Sequence, residues 1–371
     1  MAAAKAPIIK VPDFHERILS ITKHVESQVE GASLQTMHGE IPKIPVLSSG
    51  SLTLDRCLGV GGYPLGRIVE VFGPYSAGKT TLTLHAIASA MKSGGIAAFI
   101  DAEHALDMTY AKALGVDPEK LILCQPDFGE QGLAVVDHLL DTGMFKKGDI
   151  IVVDSVAALT PKTIIEGEID KQTMAVAARM MSTAMGKLKG KVSQSGVLLY
   201  FTNQIRETLS QYGPATDTPG GGALKFYSSI RVEIKKVSTV MVGVPGTSEQ
   251  KAIANITKVK VVKNKVAPPF MEAELTIRYG EGVSRFDEII DVGSKFNVIQ
   301  KNGSFYKFAG QTLGQGKETA MRNLKNDPTL ADELFNLISH RSVTGECDDI
   351  PPRAKIWTKD VVIDTTAELP S

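Results

Sequence analysis

The residues best suited to chemistry form a glycine-rich loop at residues 73–80. This run, Gly-Pro-Tyr-Ser-Ala-Gly-Lys-Thr, matches the pattern G-x-x-x-x-G-K-[ST]. It follows an apolar strand candidate at 68–72 and opens a predicted helix at 80–91. Glycines let backbone N–H groups curl round phosphates, and a helix N-terminus adds positive potential. The pattern therefore predicts a nucleotide site, with Lys79 on the β- and γ-phosphates and the Thr80 hydroxyl on Mg²⁺.

A carboxylate at the end of another apolar strand supports this site. Asp154 follows residues 150–153, Ile-Ile-Val-Val, as the acid of a second nucleotide-binding motif does. It is placed to hold the Mg²⁺ shell through Thr80 and water. A carboxylate at a strand end is also often a simple helix cap, and the phosphate loop is what favours the functional interpretation.

Two further polar residues follow predicted strands of the same sheet. Glu103 lies just past the strand at 97–100, where a carboxylate can polarise an attacking water. Asp101 competes for that role, and a solvated loop carboxylate is the plainer alternative. Gln204 follows the strand at 197–202 and is either a sensor of the γ-phosphate or a structural amide.

The order of predicted elements indicates an α/β protein. From about 48 to 285, short apolar strands alternate with helices, which predicts a mainly parallel sheet covered on both faces. Segments at 229–237, 256–263 and 272–278 alternate like antiparallel strands and are expected to extend that sheet.

The two ends of the chain differ from this central part. Residues 1–47 contain an amphipathic pattern from Phe14 to Val25, and such a helix must pack on its own core or on a neighbouring subunit. Residues 286–342 resemble a small α/β domain with helices at 289–298, 319–324 and 330–338 and a short hairpin at 303–308. The polar tail at 343–371 is expected to be partly disordered.

Composition limits the functions that the chain can have. It has 371 residues, 43% of them hydrophobic and 22% charged, as in soluble globular proteins of two or three domains. Lys plus Arg and Asp plus Glu both number 41, so a nucleic-acid site must be a local patch. Three scattered cysteines, no signal peptide and no bilayer-spanning run predict a cytoplasmic protein without a membrane partner.

Two polar segments after sheet strands are poor candidates for regular structure. Residues 166–174 precede a long predicted helix at 174–192, and residues 207–222 contain Pro214, Pro219 and three consecutive glycines. Mobile loops are expected there. Such loops are more often linkers than binding sites.

The motifs together resemble the bacterial RecA recombinase family, whether as a bacterial or as a phage-encoded member. The resemblance runs from about residue 49 to 316 almost without gaps, and the ends resemble the family much less. Its most specific stretches are 73–80, 99–106, 152–162, 164–169, 177–181, 203–206, 223–231 and 261–265. The run 223–231, Ala-Leu-Lys-Phe-Tyr-Ser-Ser-Ile-Arg, is close to a fingerprint of the family.

The resemblance implies a RecA-type P-loop NTPase core, an N-terminal helical oligomerisation segment and a small C-terminal domain. It implies a single-stranded-DNA-dependent ATPase that uses ATP and Mg²⁺, forms helical filaments on single-stranded DNA and exchanges strands with homologous double-stranded DNA. The function is homologous recombination and DNA repair, including the response to DNA damage. Single-strand-binding protein, loaders and a self-cleaving repressor are implied partners, in a bacterial or phage-infected cell.

The resemblance also assigns roles to individual residues. The catalytic residues are Glu103, Lys79, Gln204, Lys263 and Lys265, the two distal lysines acting on the γ-phosphate of the adjacent subunit. The nucleotide contacts are Gly73, Pro74, Tyr75, Ser76, Ala77, Gly78, Lys79, Thr80 and Thr81, with Asp107, Tyr110 and Tyr279 at the adenine, and Thr80 and Asp154 hold the metal. The DNA-binding residues are Met174, Arg179, Arg206, Leu209, Gly220 and Gly221, and Phe226 relays the nucleotide state between subunits.

Some positions depart from the family pattern. Gly186 stands where a basic residue is common, Gly222 where Asn is common, and Thr208 where Lys is usual. Fewer positive charges should weaken the phosphate contacts and flatten the salt dependence of DNA binding, unless Lys187, Lys189 and Lys191 compensate. The tail lacks a dense acidic run, which predicts weaker autoinhibition of duplex binding.

Two other functions fit parts of the sequence. A hexameric P-loop ATPase or helicase shares the core but is expected to lack the segments at 223–227 and 260–265. A DNA-coating protein without strand exchange does not need the intact set of Lys79, Thr80, Glu103, Asp154 and Gln204.

Overall fold

The computed structural model describes residues 13–32, 34, 43–167, 173–207, 216–243 and 249–344. Its contacts divide the chain into two units, Met1–Ile44 and Pro45–Ser371. In the first unit, the predicted amphipathic helix forms as α1 (Phe14–Gln28). No residue of α1 is buried, so the apolar side chains of Phe14, Ile18 and Leu19 are exposed.

The second unit holds the remaining elements. The helices are α2 (Leu52–Leu58), α3 (Lys79–Lys92), α4 (Met108–Ala113), α5 (Gly129–Asp141), α6 (Lys162–Glu166), α7 (Thr173–Ser195), α8 (Ala223–Tyr227), α9 (Arg285–Lys295), α10 (Lys317–Asn326) and α11 (Pro328–Thr344). The strands are β1 (Val46–Leu47), β2 (Tyr63–Pro64), β3 (Ile68–Gly73), β4 (Ala97–Asp101), β5 (Leu121–Cys124), β6 (Ile150–Asp154), β7 (Leu198–Gln204), β8 (Arg206–Glu207), β9 (Thr216–Asp217), β10 (Ile230–Gly243), β11 (Gln250–Asn264), β12 (Glu272–Arg278), β13 (Gly282–Val283), β14 (Gln300–Asn302), β15 (Phe305–Phe308) and β16 (Gln311–Gln315).

The predicted α/β class is confirmed by a nine-stranded sheet in the order β13-β12-β11-β10-β3-β7-β6-β4-β5. Strands β10, β3, β7, β6, β4 and β5 run parallel, and β10 to β13 continue the sheet in antiparallel fashion. Every residue of β3, β4 and β6 is buried. Apolar cores on both faces, one including α3 and the other including α5 and α7, explain these continuous apolar strands.

Two antiparallel strands are longer than the sequence predicted. The predicted strands ended at residue 237 and began at residue 256, whereas β10 continues to Gly243 and β11 begins at Gln250. The extensions pair with each other, from Ser238 with Ile256 to Gly243 with Gln250. Mutual pairing satisfies backbone groups in a segment whose polar and apolar residues do not alternate regularly.

The C-terminal part also differs in detail from the prediction. Helix α9 begins at Arg285 rather than at 289, because the Ser284 hydroxyl caps it by accepting a hydrogen bond from the backbone N–H of Asp287. It ends at Lys295, before Asn297, which adopts a positive φ of 55°. The predicted hairpin at 303–308 is part of a three-stranded sheet with β15 in the middle.

Two helices flank the first predicted DNA loop. Helix α6 extends to Glu166, and α7 begins at Thr173. Residues 168–172 of the first loop and 208–215 of the second lie outside the described residues, as does the tail from 345. Among the residues that are described, no helix has the length and apolarity to cross a membrane.

A buried carboxylate joins α9 to α2. Glu288 accepts hydrogen bonds from the Ser51 hydroxyl at 2.5 Å and from the backbone nitrogens of Leu52 and Thr53 at 3.1 and 3.2 Å. Burial raises the pKa of Glu288 to about 7, although these hydrogen bonds oppose the rise. Burial likewise raises the pKa of nearby Asp55 to about 6.

We predict that buried Glu288 makes the free energy of unfolding fall as the pH rises. A carboxyl group whose pKa is higher in the folded state binds its proton more tightly there, so it stabilises the fold below its unfolded pKa and loses that effect as pH passes the folded value. From pH 5 to pH 8, the free energy of unfolding of the wild type should fall by roughly 2 to 3 kcal/mol relative to Glu288→Gln. Urea titrations at both pH values measure this difference.

The control is Glu281→Gln, because Glu281 forms an exposed ion pair with Lys325. This variant should keep the pH dependence of the wild type. Equal pH slopes in wild type and Glu288→Gln would contradict the assignment.

Candidate functional site

The glycine-rich loop connects β3 to α3 at the carboxyl end of the central strands. Two of its glycines are required by close packing. A Cβ on Gly73 would lie 2.1 Å from the Ile234 carbonyl oxygen, and one on Gly78, at φ 101°, would lie 2.4 Å from Cδ1 of Ile277. Side chains at these positions would push the loop away from β10 and β12, so glycine keeps its backbone N–H groups in place.

A cleft of about 420 Å³ lies over this loop, a size typical of small-molecule sites. It is lined by Tyr75, Ser76, Ala77, Gly78, Lys79, Thr80, Thr81, Glu103, Tyr110, Asp154, Gln204, Asn255, Thr257, Ile277, Arg278, Tyr279 and Gly280. The fold thus brings together side chains from four separate motifs and from the antiparallel half of the sheet.

Lys79 lies against its own loop. Its Nζ donates to the carbonyl oxygens of Gly73 at 3.0 Å and Pro74 at 2.7 Å. Burial lowers the pKa of Lys79, and the carboxylates of Asp154 and Glu103 partly offset this. The ring of Tyr75, which is 76% exposed, has its centre 6.0 Å from this ammonium.

Asp154 and Thr80 meet at the floor of the cleft. The Thr80 hydroxyl donates to Oδ2 of Asp154 at 3.0 Å, and the Thr202 hydroxyl donates to Oδ1 of the same carboxylate. Burial raises the pKa of Asp154, and the two hydroxyl donors oppose that rise. A hydroxyl beside a carboxylate is an oxygen ligand set of the kind that Mg²⁺ takes in nucleotide sites.

Asp101 and Glu103, the two candidates for the carboxylate that polarises water, have different side-chain partners. The Asp101 carboxylate is buried and accepts from the amides of Ala105 and Leu106, both at 3.2 Å, and from Gln125 at 3.0 Å. It therefore holds the loop after β4 and does not line the cleft.

Glu103 instead points into the cleft. Its Oε1 accepts from the Ser155 hydroxyl and from Nε2 of Gln204, the latter at 3.0 Å. One carboxylate oxygen thus connects the loop after β4 with the residue that follows β6 and with the last residue of β7.

The far end of the cleft has two tyrosines. Tyr110 shares a hydrogen bond with the Thr81 hydroxyl at 3.1 Å, and the Tyr279 hydroxyl donates to Oδ1 of Asn255 at 2.8 Å. Asp107 does not line the cleft. Its carboxylate instead caps α4 by accepting hydrogen bonds from the backbone nitrogens of Thr109 and Tyr110.

Sequence reasoning missed the cleft residues of β11 and β12. Asn255, Thr257 and Arg278 line the cleft but belong to no recognisable motif. The Thr257 hydroxyl donates to the Ala77 carbonyl at 3.2 Å and so holds the phosphate loop directly. The only available signal was that Thr257 and Arg278 lie on strands expected to extend the sheet, whereas Asn255 precedes the predicted strand at 256–263.

Lys263 and Lys265 do not reach the cleft of their own chain. Lys263 donates to the carbonyls of Lys225 at 2.6 Å and Phe226 at 3.0 Å, and Lys265 lies 3.5 Å from the latter. Burial and the neighbouring Lys265 lower the pKa of Lys263. The Phe226 ring is 76% exposed. This set of residues forms a separate surface at the end of α8.

The described part of the second predicted DNA loop is fixed at its end. Gly220 and Gly221 have φ of 88° and 74°, and a Cβ on either would lie under 3.0 Å from Val156 or Ala178. Arg206 lies on β8, where it stands opposite Asp217 of the antiparallel strand β9. Leu209 lies outside the described residues.

The first predicted DNA loop leads into α7. Met174 is on α7, with its side chain outside the described part, and Arg179 lines a groove between α5 and α7. Lys191 is bound by Asp137 at 2.5 Å and Asp141 at 2.8 Å, so its charge is already compensated within the chain.

A buried polar chain connects the phosphate strand to the second loop. Asn203 donates to Glu70 on β3 at 3.0 Å and to the Pro219 carbonyl at 3.1 Å. Glu70 is fully buried and also accepts from Arg231 at 2.5 Å. Sequence reasoning did not identify the contacts of these three polar residues, because they lie on three different strands that only the sheet brings together.

Two family models match the chain: the RecA N-terminal domain over residues 17–284 and the RecA C-terminal domain over residues 287–342. The chain is 50% identical over 352 residues to Protein RecA of Macrococcus caseolyticus, covering 92% of this chain and 97% of that protein. It is 49% identical over 326 residues to Protein RecA of Ehrlichia ruminantium, with 86% and 88% covered. Protein RecA of Corynebacterium aurimucosum is 52% identical over 306 residues, with 82% and 79% covered.

These matches include the phosphate loop, the sheet and the C-terminal part together. The chain therefore belongs to the RecA family of DNA-dependent ATPases, which bind single-stranded DNA as filaments and act in homologous recombination and DNA repair.

Proposed function

We propose that the cleft binds ATP with Mg²⁺ and hydrolyses it when single-stranded DNA occupies the two loops. The glycine cradle at Gly73 and Gly78 suits phosphates, and the paired oxygens of Thr80 and Asp154 suit the metal. Thr80 and Asp154 would hold Mg²⁺, which would supply positive charge to offset the negative charge of the phosphates. Residues 73–81 surround the phosphates, and Tyr110 and Tyr279 hold the adenine.

The hydrogen bond between Gln204 and Glu103 carries this proposal. Glu103 orients and polarises the attacking water, and Ser155 fixes its carboxylate. Gln204 ends β7 and is followed by the loop at 207–222. A γ-phosphate that takes over the Gln204 amide frees Glu103 and shifts the segment that leads to the DNA loop.

We further propose that the site is completed by a second copy of the chain. Lys263, Lys265 and Phe226 lie on a common surface away from their own cleft, and Lys263 and Lys265 both hydrogen-bond to backbone carbonyls near Phe226. In a head-to-tail filament, the two lysines reach the γ-phosphate of the neighbour, and Phe226 contacts that neighbour. The exposed apolar face of α1, within the oligomerisation segment 1–47, offers additional contact area.

We propose that residues of the two loops bind single-stranded DNA. Met174, Leu209, Gly220 and Gly221 contact bases or backbone, and Arg179 and Arg206 contact phosphates. Homologous duplex is the second DNA substrate. Single-strand-binding protein, loaders and a self-cleaving repressor are the proposed partners, in the cytoplasm of a bacterial or phage-infected cell. The free thiols of Cys57 and Cys124 support a reducing compartment.

The chain is proposed to have four parts. In addition to the oligomerisation segment 1–47, we propose an ATPase core at 48–285, with the DNA loops at 166–174 and 207–222, a C-terminal α/β domain at 286–342 and a tail at 343–371. The C-terminal elements β14–β16 and α9–α11 share an apolar cluster of their own, which supports that division.

Replacing the proposed base tests the chemistry. Glu103→Gln should lower the DNA-dependent rate of ATP hydrolysis by about 100-fold or more, because an amide cannot accept the proton of the attacking water. Nucleotide binding should persist, since the phosphate loop is unchanged. Steady-state phosphate release with poly-dT measures the rate, and fluorescent nucleotide titration measures binding.

The matched control for this substitution is Glu119→Gln, at an exposed carboxylate outside the cleft. It should hydrolyse ATP at the wild-type rate within about twofold. An unchanged rate in Glu103→Gln would rule out the assigned base.

Mixing two inactive variants tests completion of the site by a second subunit. The double substitution Lys263→Ala/Lys265→Ala leaves its own phosphate loop intact, whereas Lys79→Ala leaves the distal lysines intact. In a 1:1 mixture on poly-dT, about a quarter of subunit junctions should combine an intact loop with intact lysines and regain hydrolysis. A mixture no more active than the sum of the separate variants would show that the lysines act within one chain.

A further inference from the structure

Helix α3, which begins at Lys79 of the phosphate loop, carries a histidine in its second turn. Nε2 of His85 lies 2.8 Å from the backbone nitrogen of Val283 on β13. A backbone N–H can only donate, so the ring nitrogen accepts and must be unprotonated. Burial lowers the pKa of His85 to about 4, so the imidazole remains neutral near pH 7.

The strand that His85 contacts belongs to the wall of the nucleotide cleft. Strands β12 and β13 form a hairpin in which Ile277 pairs with Val283 and Arg278 with Gly282. The turn of this hairpin supplies Tyr279 and Gly280 to the cleft. The imidazole therefore holds the return strand a few residues from the proposed adenine contact.

The contact between α3 and the hairpin needs a glycine. Gly282 has φ 76°, and a Cβ there would lie 2.4 Å from Nε2 of His85 and 2.6 Å from Cδ2 of Leu114. Only a residue without a side chain lets the imidazole reach the backbone at this distance. The absence of a side chain at Gly282 thus leaves room for an acceptor at position 85 to reach the backbone of β13.

The turn is anchored on its other side by β11. The Tyr279 hydroxyl donates to Asn255 at 2.8 Å, and the Tyr279 backbone nitrogen donates to the Ile253 carbonyl at 3.0 Å. Contacts from β11 fix the tyrosine against the sheet, whereas His85 fixes the hairpin relative to α3. Since α3 starts in the phosphate loop, one rigid helix sets the spacing between the two ends of the cleft.

We propose that His85 is a positioning residue that sets the distance from the phosphate loop to the base-binding wall. This inference rests on the proposed adenine contact at Tyr279. Removal of the hydrogen bond should weaken binding of ligands that carry the base and leave binding of the phosphate moiety unchanged. General damage to α3 would instead weaken both, because the helix also carries Lys79 and Thr80.

Calorimetric titration of the full chain with ADP and separately with pyrophosphate distinguishes these effects. His85→Leu should weaken ADP binding about fivefold, the usual effect of losing one neutral hydrogen bond, and leave pyrophosphate binding within twofold. His85→Gln should restore ADP binding, because its amide oxygen can accept from Val283. If His85→Leu does not fold, His85→Asn replaces it, since the shorter amide does not reach Val283.

Two further variants complete the test. Thr83→Val removes a buried hydroxyl from the same helix, which donates to the Lys79 carbonyl, and should change neither affinity. Tyr279→Ala should weaken ADP binding selectively, and if it does not, the proposed adenine contact and this inference both fail. If Tyr279→Ala has that effect but His85→Leu leaves ADP binding unchanged, or weakens both ligands equally, only the role of His85 is overturned.

Discussion

The hydrogen bond from Gln204 to Glu103 is the interaction on which the rest of the site depends. It joins the end of β7, which leads to the second DNA loop, to the carboxylate proposed to activate water. One neutral-donor hydrogen bond at a partly exposed site contributes only about 1 to 3 kcal/mol. A phosphate oxygen can therefore replace the carboxylate as partner without disrupting the fold, and this low cost is what a switch requires.

The sheet makes this arrangement possible. Strands β3, β7, β6 and β4 are neighbours and parallel, so their carboxyl ends place Lys79, Gln204, Asp154 and Glu103 along one edge. Burial on both faces keeps these strands rigid. The antiparallel strands β11 and β12 then add the opposite wall of the cleft. Rigid strands with polar ends thus provide fixed positions between which only the loops need to move.

Sequence alone predicted the parallel sheet and the phosphate loop, because apolar runs and glycine spacing are local signals. It left Asp101 and Glu103 as competitors, since both follow the same strand. Side-chain partners separate them: two amides and Gln125 occupy Asp101, whereas Glu103 faces the cleft. The charge of Lys191, considered a possible compensation for Gly186, is taken up by Asp137 and Asp141, which are about fifty residues away in sequence.

The contacts of Asn203, Thr257 and His85 could not have been predicted from the sequence either, because their partners are distant along the chain. Each depends on a partner brought close only by the sheet order, namely Pro219, Ala77 and Val283. Long-range pairing decides such contacts, and a single sequence contains no local pattern for them.

Single-turnover ATP hydrolysis by Gln204→Ala, with and without poly-dT, tests the central claim most directly. The wild type should accelerate strongly when DNA is added. The variant should hydrolyse bound ATP at one slow rate in both conditions, because the link from the DNA loop to Glu103 is removed. The same fold acceleration by DNA in variant and wild type would contradict the account.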